Sequence, residues 1–581
     1  MATLPHLLYL RHTSVCAFGA LLIAGAAFGQ NSEKEAEQDW PGRCVAQADA
    51  RDADSHRDRD SASQVTCRTS GPNVVATDRG PVRGASAATT RQYLGIPYAA
   101  PPVGVLRWKP PQQAARWDGI RDASKFATHC PQPTTAFGRA SNSSEDCLYL
   151  NVYRPRPVHD REHELPVIVW IHGGALWLGE SEDYDPTGLV EQGVVVVTIN
   201  YRLGALGELA HPALSAEAGG SSGNYGIMDQ QAALKWVQAN IAAFGGDKHN
   251  VTIAGESAGG HSVHTHLASP LSEGLFHKAI AESASYSLDN PALTTAEGKG
   301  VAFATAAGCS DQRSTDCLRG LTVPQVLANQ AAIIGGNGIV ATVDNRVLTQ
   351  THRQAFASGN FHHVPVIEGS NANEYALISA FYFDFTSPPT GLGPVTAANF
   401  PVAEALTLSF FDAQKTPAQV DPLYPVASFP APIKAIDVIG TDSAYSCPAR
   451  NTVQNLSAYT RTYQYEFADP DPPMIFLPDT PSHPAGTWGA YHASELQYLF
   501  KVTPSIPSPV SMTASQINLS AQMIGFWTRF AKTGNPNSLE SWWQWPQYSG
   551  ASDKALLLKP GGVTTTADFA TRHQCVFWTG R

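Results

Sequence analysis

The chain has 581 residues, 43% of them hydrophobic and only 15% charged, a balance that favours a large buried core over an extended or disordered chain. Its formal net charge of -11, without any visible basic stripe, excludes a general nucleic-acid binder, which needs clustered Lys and Arg to displace phosphate counterions. The length exceeds the usual single-domain range, yet an α/β fold with long insertions accommodates it as one large domain.

Taken in chain order, Arg11 and His12 precede an apolar run over 15–28 that ends in Ala27-Phe28-Gly29-Gln30. This reads as a secretory signal peptide over 1–29. The run is short for a membrane span and polar sequence follows it, so cleavage near Gly29 is preferred to an uncleaved anchor. No other segment approaches spanning length, so no stable membrane insertion is expected after cleavage. Residues 30–72 are polar and charge-dense; the stretch ADARDADSHRDRDSA at 48–62 cannot bury enough apolar surface to order itself and reads as a flexible leader.

From residue 73 to 581 apolar runs alternate with amphipathic stretches, the pattern of an α/β sheet flanked by helices. The runs at 165–171 (LPVIVWI) and 194–200 (VVVVTIN) are apolar on both faces, as buried strands of a largely parallel sheet should be. Further strands are expected at 251–254, 278–281, 364–367 and 462–467. A helix is expected over 228–244, stopped by Gly245-Gly246. The Pro- and Gly-rich region 388–432 fits neither period and is expected to form surface excursions over the sheet edge.

Nine cysteines occur, and eight remain once Cys16 leaves with the signal segment. An even number in an exported chain suggests disulfides, and none shows the C-x-x-C spacing of a zinc site. Spacing alone leaves the connectivity open; near neighbours, Cys130 with Cys147 and Cys309 with Cys317, are the simplest pairs. Cys44 and Cys67 both fall in the leader.

The pentapeptide Gly255-Glu256-Ser257-Ala258-Gly259 follows the expected strand 251–254 and opens a helix-like stretch. That places a serine at a sharp strand-to-helix turn, where flanking glycines leave room for strained backbone. A serine hydroxyl needs a base, and the base needs a carboxylate, arriving in this architecture in the order Ser, Asp or Glu, His. The acid candidate is Glu374, just beyond the strand 364–367, with Asp344 and Glu368 as rivals. His492 is the base candidate, in a Gly- and Ala-bearing turn. His483 and His573 are weaker rivals, and His261, His264 and His266 lie just past the nucleophile on the same expected helix. Their i, i+3, i+5 spacing does not share one helical face, so a metal site there is not expected. His172-Gly173-Gly174-Ala175 follows the strand 165–171 and suits an oxyanion loop, with the amide of Ala258 as a second donor.

Beyond the nucleophile, Glu145-Asp146-Cys147-Leu148-Tyr149-Leu150-Asn151-Val152, Asn200-Tyr201-Arg202, Gly223-Asn224-Tyr225-Gly226 and Phe530-Ala531-Lys532-Thr533-Gly534-Asn535-Pro536 join Gly255–Gly260 in a set of ordered motifs. Over 73–581 the chain resembles the type-B carboxylesterase and cholinesterase family. The resemblance implies an α/β-hydrolase fold with long insertions over the site, and a Ser257, His492, Glu374 triad acting on small-molecule carboxylic esters through an acyl-enzyme, without metal or organic cofactor. It also implies an oxyanion hole of Gly174, Ala175 and Ala258, and the disulfides Cys130–Cys147, Cys309–Cys317 and Cys447–Cys575. Choline-binding members carry a tryptophan before the Glu-Asp-Cys motif; residues 134–144 (TTAFGRASNSS) contain none, and Phe137 replaces only part of that cation contact. Where relatives usually read Gly-Phe-Leu, this chain has Gly207-Glu208-Leu209. Glu208 is therefore either a selector of polar or cationic substrate groups or a solvent-turned glutamate. The resemblance leaves open a lipase or an esterase for bulky xenobiotic or natural-product esters. A second class is a non-catalytic binding domain, but such relatives usually lack a triad residue, and here all three candidates stand. Sequons occur at Asn142, Asn250, Asn455 and Asn518.

Overall fold

The computed structural model describes residues 73–580 apart from 136–140, 157–163, 335–338, 385–390, 411–412, 504–510 and 539–543. The expected signal segment 1–29, the leader 30–72 with Cys44 and Cys67, and Phe137 lie outside the described residues.

Thirteen strands among the described residues form one sheet. Its centre is parallel, running in the order Val195–Ile199, Leu165–Ile171, Gly246–Glu256, Lys278–Glu282, Val366–Asn371, Thr462–Phe467 and Ala555–Leu558. Antiparallel strands flank this centre, led on one side by Tyr149–Pro155 and closed on the other by Thr564–Thr566. Each central strand is apolar on both faces because each face has its own core. Val167, Val169, Ile171, Val195, Val197 and Ile253 enter one buried cluster, and Ile168, Trp170, Val196, Ala254, Ile280 and Tyr465 enter the other. The period-2 alternation of a strand sorts consecutive residues between the two layers. Full burial of each large side chain is worth about 1.5–3 kcal/mol.

The expected helix 228–244 begins earlier and ends differently. It runs over Tyr225–Asn240, entered through a left-handed Asn224 (φ 55°), and then tightens into a 3-10 turn at Ile241–Phe244 that Gly245 stops with φ 82°.

The expectation for 388–432 needs correction. Helices form at Phe400–Phe410 and Pro417–Val420. Val395, Phe400, Ala403, Leu408, Val420 and Tyr424 are buried with Tyr375, Ile436 and Tyr445 in a satellite core. Phe400, Ala403 and Leu408 do keep a helical spacing, and Pro401 stands in the first turn, where its missing N–H costs nothing. Proline frequency masked that period.

Three disulfides are present: Cys130–Cys147, Cys309–Cys317 and Cys447–Cys575. The last spans 128 residues and ties the helix Cys447–Ser457 to the helix Cys575–Thr579. Among the described residues, no helix is long and apolar enough to cross a membrane.

Candidate active site

The site gathers at the carboxyl ends of the parallel strands, where an open α/β sheet leaves its crevice. The strand Gly246–Glu256 ends one residue before Ser257, and the helix Ala258–Ala268 begins one residue after it. Ser257 therefore takes φ 56° and ψ −120°, a conformation that costs an L-residue about 1–3 kcal/mol. The flanking glycines make the turn possible. A Cβ on Gly259 would lie 1.9 Å from the Ile171 carbonyl oxygen, and one on Gly255 would lie 2.5 Å from the Gly259 carbonyl carbon. The Ser257 N–H is fixed by the Glu282 carbonyl at 2.9 Å.

The Ser257 hydroxyl is 2.8 Å from His492 Nε2, and His492 Nδ1 is 2.6 Å from Glu374 Oε2. With Nδ1–H donated to the carboxylate, Nε2 is the lone-pair nitrogen that accepts the Ser257 hydroxyl proton. Glu374 stands between the strand Val366–Asn371 and the helix Tyr375–Phe383, and its other oxygen accepts from Ser283 Oγ (2.6 Å) and the Asn371 N–H (2.7 Å). A second carboxylate, Glu256, places Oε1 3.2 Å from His492 Nε2. Burial alone would lower the His492 pKa, but Glu256 and Glu374 outweigh it and hold the imidazole up to about 8. Burial pushes Glu256 up to about 7, against the pull of His492.

Gly174 and Ala175 leave the strand Leu165–Ile171 with φ 99° and 52°. A Cβ on Gly174 would meet the Leu178 carbonyl oxygen at 2.3 Å, so this loop is held tightly against its own return. Among the described residues, no hydrogen bond engages the amide N–H of Gly174, Ala175 or Ala258. Ala258 is the first residue of its helix, where N–H groups lack intrahelical partners.

The rival candidates are engaged elsewhere. Glu368 accepts from Ser285 Oγ and contacts His264 Nε2, each at 2.8 Å. Asp344 caps the turn 346–348 through its backbone amides and accepts from Ser221 Oγ. His483 lies between Asp384 and Asp437, and His573 between Asp442 and Glu466. His261 accepts from the Ala341 N–H, and His266 bridges Ser272 and Gln230.

Glu208 is not turned to solvent. It ends the short helix Gly204–Glu208 at 6% exposure, its carboxyl against the backbone of Asn224 and Gly226 and beside the buried Arg202–Asp229 pair. Burial and Asp229 push its pKa well above the usual carboxylate range despite Arg202. Ser283, Glu256 and Glu282 were missed as site neighbours by sequence reasoning. Their signal is the tripeptide Glu-Ser-Ala, which stands at 256–258 and again at 282–284, with both serines in left-handed backbone (φ 56° and 51°).

Sheet order, strand-to-helix serine turn and the gathered Ser, His and Glu define an α/β-hydrolase. The chain matches the carboxylesterase family model over residues 71–578 and belongs to that family. It is 34% identical to an acylcarnitine hydrolase of Mus musculus, over 79% of this chain and 82% of that protein. It is 35% identical to a fumonisin B1 esterase of Sphingopyxis macrogoltabida, over 82% and 85% respectively. The solved structure of a PNB esterase matches with a TM-score of 0.70 at 31% identity, covering 87% of this chain and 99% of its own. The protein is thus a serine hydrolase acting on carboxylic ester bonds.

Proposed function

We propose that Ser257, His492 and Glu374 carry the hydrolysis, in a protein that works in a secreted or periplasmic setting. The observation that carries this reading is the unbroken chain Ser257 Oγ, His492 Nε2, His492 Nδ1, Glu374 Oε2 at 2.8 and 2.6 Å. Ser257 attacks the ester carbonyl as His492 takes its proton, and the developing oxyanion is received by the N–H groups of Gly174, Ala175 and Ala258. His492 then returns the proton to the departing alcohol. A water, deprotonated by the same nitrogen, releases the acid from the acyl-enzyme. Glu374 holds the imidazole tautomer, and the pair Glu374 and Glu256 favours the imidazolium that forms midway.

Three disulfides support the oxidising compartment. For substrate, we favour an ester with a bulky acid or alcohol, on the likeness to a relative named a fumonisin B1 esterase. Glu208 is assigned a structural role against the Asn224 and Gly226 backbone rather than that of a counter-ion, because its burial favours the neutral carboxyl.

A fluorophosphonate probe tests the assignment: it labels Ser257 in the wild type and fails to label Ser257→Ala. Ester hydrolysis at the wild-type rate by Ser257→Ala would refute it, and an unlabelled wild-type protein would point to a binding domain.

A further inference from the structure

Glu256 and Glu282 are paired residues on adjacent parallel strands, in register within the ladder 252–256 with 278–282. Paired residues on neighbouring strands point to the same face, about 5 Å apart. Here that face is the buried one beneath the helix Ala514–Thr533, whose Trp527 Nε1–H donates to Glu282 Oε1 at 2.8 Å. The next residue in the row is Gly369, and the one after it is Tyr465. A Cβ on Gly369 would lie 2.3 Å from the Tyr465 ring, so that ring lies over the glycine, between its own strand and Glu282. Glu495 adds a third carboxyl, held by Asn371 Nδ2. Glu282 Oε2, Glu495 Oε1, Asn371 Oδ1 and the Tyr465 hydroxyl are all buried without a hydrogen-bond partner.

Two carboxylates a strand apart in a dry layer cannot both ionise unless a cation sits between them. Among the described residues no Lys or Arg pairs with Glu256, Glu282 or Glu495; the one basic group in contact is His492, against Glu256. We propose that Glu282 is a positioning residue that works as a neutral acid: by keeping its proton it leaves the single negative charge of the pair on Glu256, beside His492. The proposal rests on His492 being the base.

Glu282 is pushed up to about 8 by burial and by the charge of Glu256, with the Trp527 hydrogen bond opposing. Glu495 is raised well above its usual range by burial and by Glu256, Glu282 and Glu374. The other titratable groups facing the pair are Glu374 and His492 at the strand ends, with Tyr184, Tyr201, Tyr286 and Tyr445 around Glu256. Tyr465 faces Glu282. All five tyrosines are shifted upward and stay uncharged through neutrality.

While His492 is protonated Glu282 stays neutral, so the field on the imidazole comes from Glu256 and Glu374. The pH dependence of kcat/KM for a neutral ester reads this directly. Glu282→Gln exchanges a neutral acid for a neutral amide, so the midpoint of the acid limb stays where it is in the wild type, whereas loss of a charged carboxylate would move it down by about half a unit or more. In Glu256→Gln, Glu282 is free to take the charge and partly replaces it. The double variant Glu256→Gln with Glu282→Gln therefore loses more than the product of the two single losses, and its acid limb lies below that of Glu256→Gln. An acid limb that moves down in Glu282→Gln, or a double variant that only multiplies the single losses, overturns the proposal. If Glu282→Gln does not fold, Trp527→Phe in the Glu256→Gln background takes its place: without its donor Glu282 takes up the charge less readily, so the limb falls below that of Glu256→Gln, and an unmoved limb there is equally fatal. Fluorophosphonate labelling of Ser257 is followed in each protein. Labelling retained with either overturning result sinks this proposal alone, whereas a wild type that is not labelled sinks the triad assignment beneath it.

Discussion

Among the described residues, a Ser, a His and a Glu come together twice. In one group His492 is the middle member, with Ser257 on Nε2 and Glu374 on Nδ1. In the other Glu368 is the middle member, taking Ser285 on one oxygen and His264 on the other. The second group is buried below the helix Ala258–Ala268, and Ser285 also reaches Thr452 Oγ1 at 2.9 Å. The same three residue types thus give opposite chemistry according to which one is central. A central imidazole can take a proton from one side while its charge is met on the other. A central carboxylate only accepts from both, so its serine gains no base, and the assembly is a tie between layers.

The widest separation between the two groups is catalytic. Ser257→Ala is expected to lower kcat by about 10^4-fold or more, and Glu374→Gln by about 10^3 to 10^4-fold, since an amide presents the wrong group to Nδ1. Ser285→Ala should stay within about threefold of wild type. Steady-state hydrolysis of a chromogenic ester measures all three, and a large loss in Ser285→Ala would dissolve the contrast.

The contrast reverses for stability. Glu368→Ala strands His264 Nε2 in a dry interior and leaves Ser285 with Thr452 as its remaining partner, at a cost of about 2–3 kcal/mol. Ser257→Ala keeps the Cβ and with it the backbone strain of the turn, removes only a hydroxyl bonded to His492, and should leave the unfolding midpoint close to wild type. Denaturant unfolding of both variants decides this, provided activity per folded molecule is compared alongside.

Much of this was legible in the sequence and some was not. Ser257 and Glu374 stood out because each follows a strand in the order this sheet imposes, His492 because it lies in a Gly- and Ala-bearing turn C-terminal to the acid, and the central strands because their apolar runs serve two cores at once. The buried group was invisible. Nothing in the sequence reports that Glu368 lies inside its strand rather than beyond it, or that Ser285, just past the neighbouring strand Lys278–Glu282, reaches it. Region 388–432 was misread because proline frequency outweighed the spacing of Phe400, Ala403 and Leu408. The pairing of Glu256 with Glu282 depends on strand register, which a single sequence shows only as a repeated Glu-Ser-Ala.

Acid should distinguish the regions next. Burial holds His261 and His266 neutral, each down to about 3 from an ordinary 6.5, and burial with His261 and His264 holds His352 well below that value. Above about 6.5 these groups are neutral whether folded or not, and contribute nothing to the slope. Below it the unfolded chain binds protons that the folded one refuses, so stability falls as pH falls from about 6.5 towards 3. Each such histidine contributes about 1.4 kcal/mol per pH unit within that window. His573, raised to about 9 by Asp442 and Glu466 against burial, acts in the opposite sense, its contribution being lost as pH rises through 9. Unfolding of His261→Gln across pH 4–7 should show a shallower slope than wild type; an identical slope would remove His261 from the account.

The smallest effect concerns Glu208. Its carboxyl lies against the Asn224 and Gly226 backbone, beside a buried Arg202–Asp229 pair that already balances its own charge, and burial favours the protonated form. A neutral acid replaced by the isosteric amide changes little in the field felt by a substrate. Glu208→Gln should therefore leave the ratio of kcat/KM for a cationic and a neutral ester of equal size within about twofold of wild type, because a carboxyl that carries no charge gives up no ion pair when it becomes an amide. A tenfold fall confined to the cationic ester would mean instead that Glu208 is ionised and exerts its field on the substrate, and would return it to the role of counter-ion.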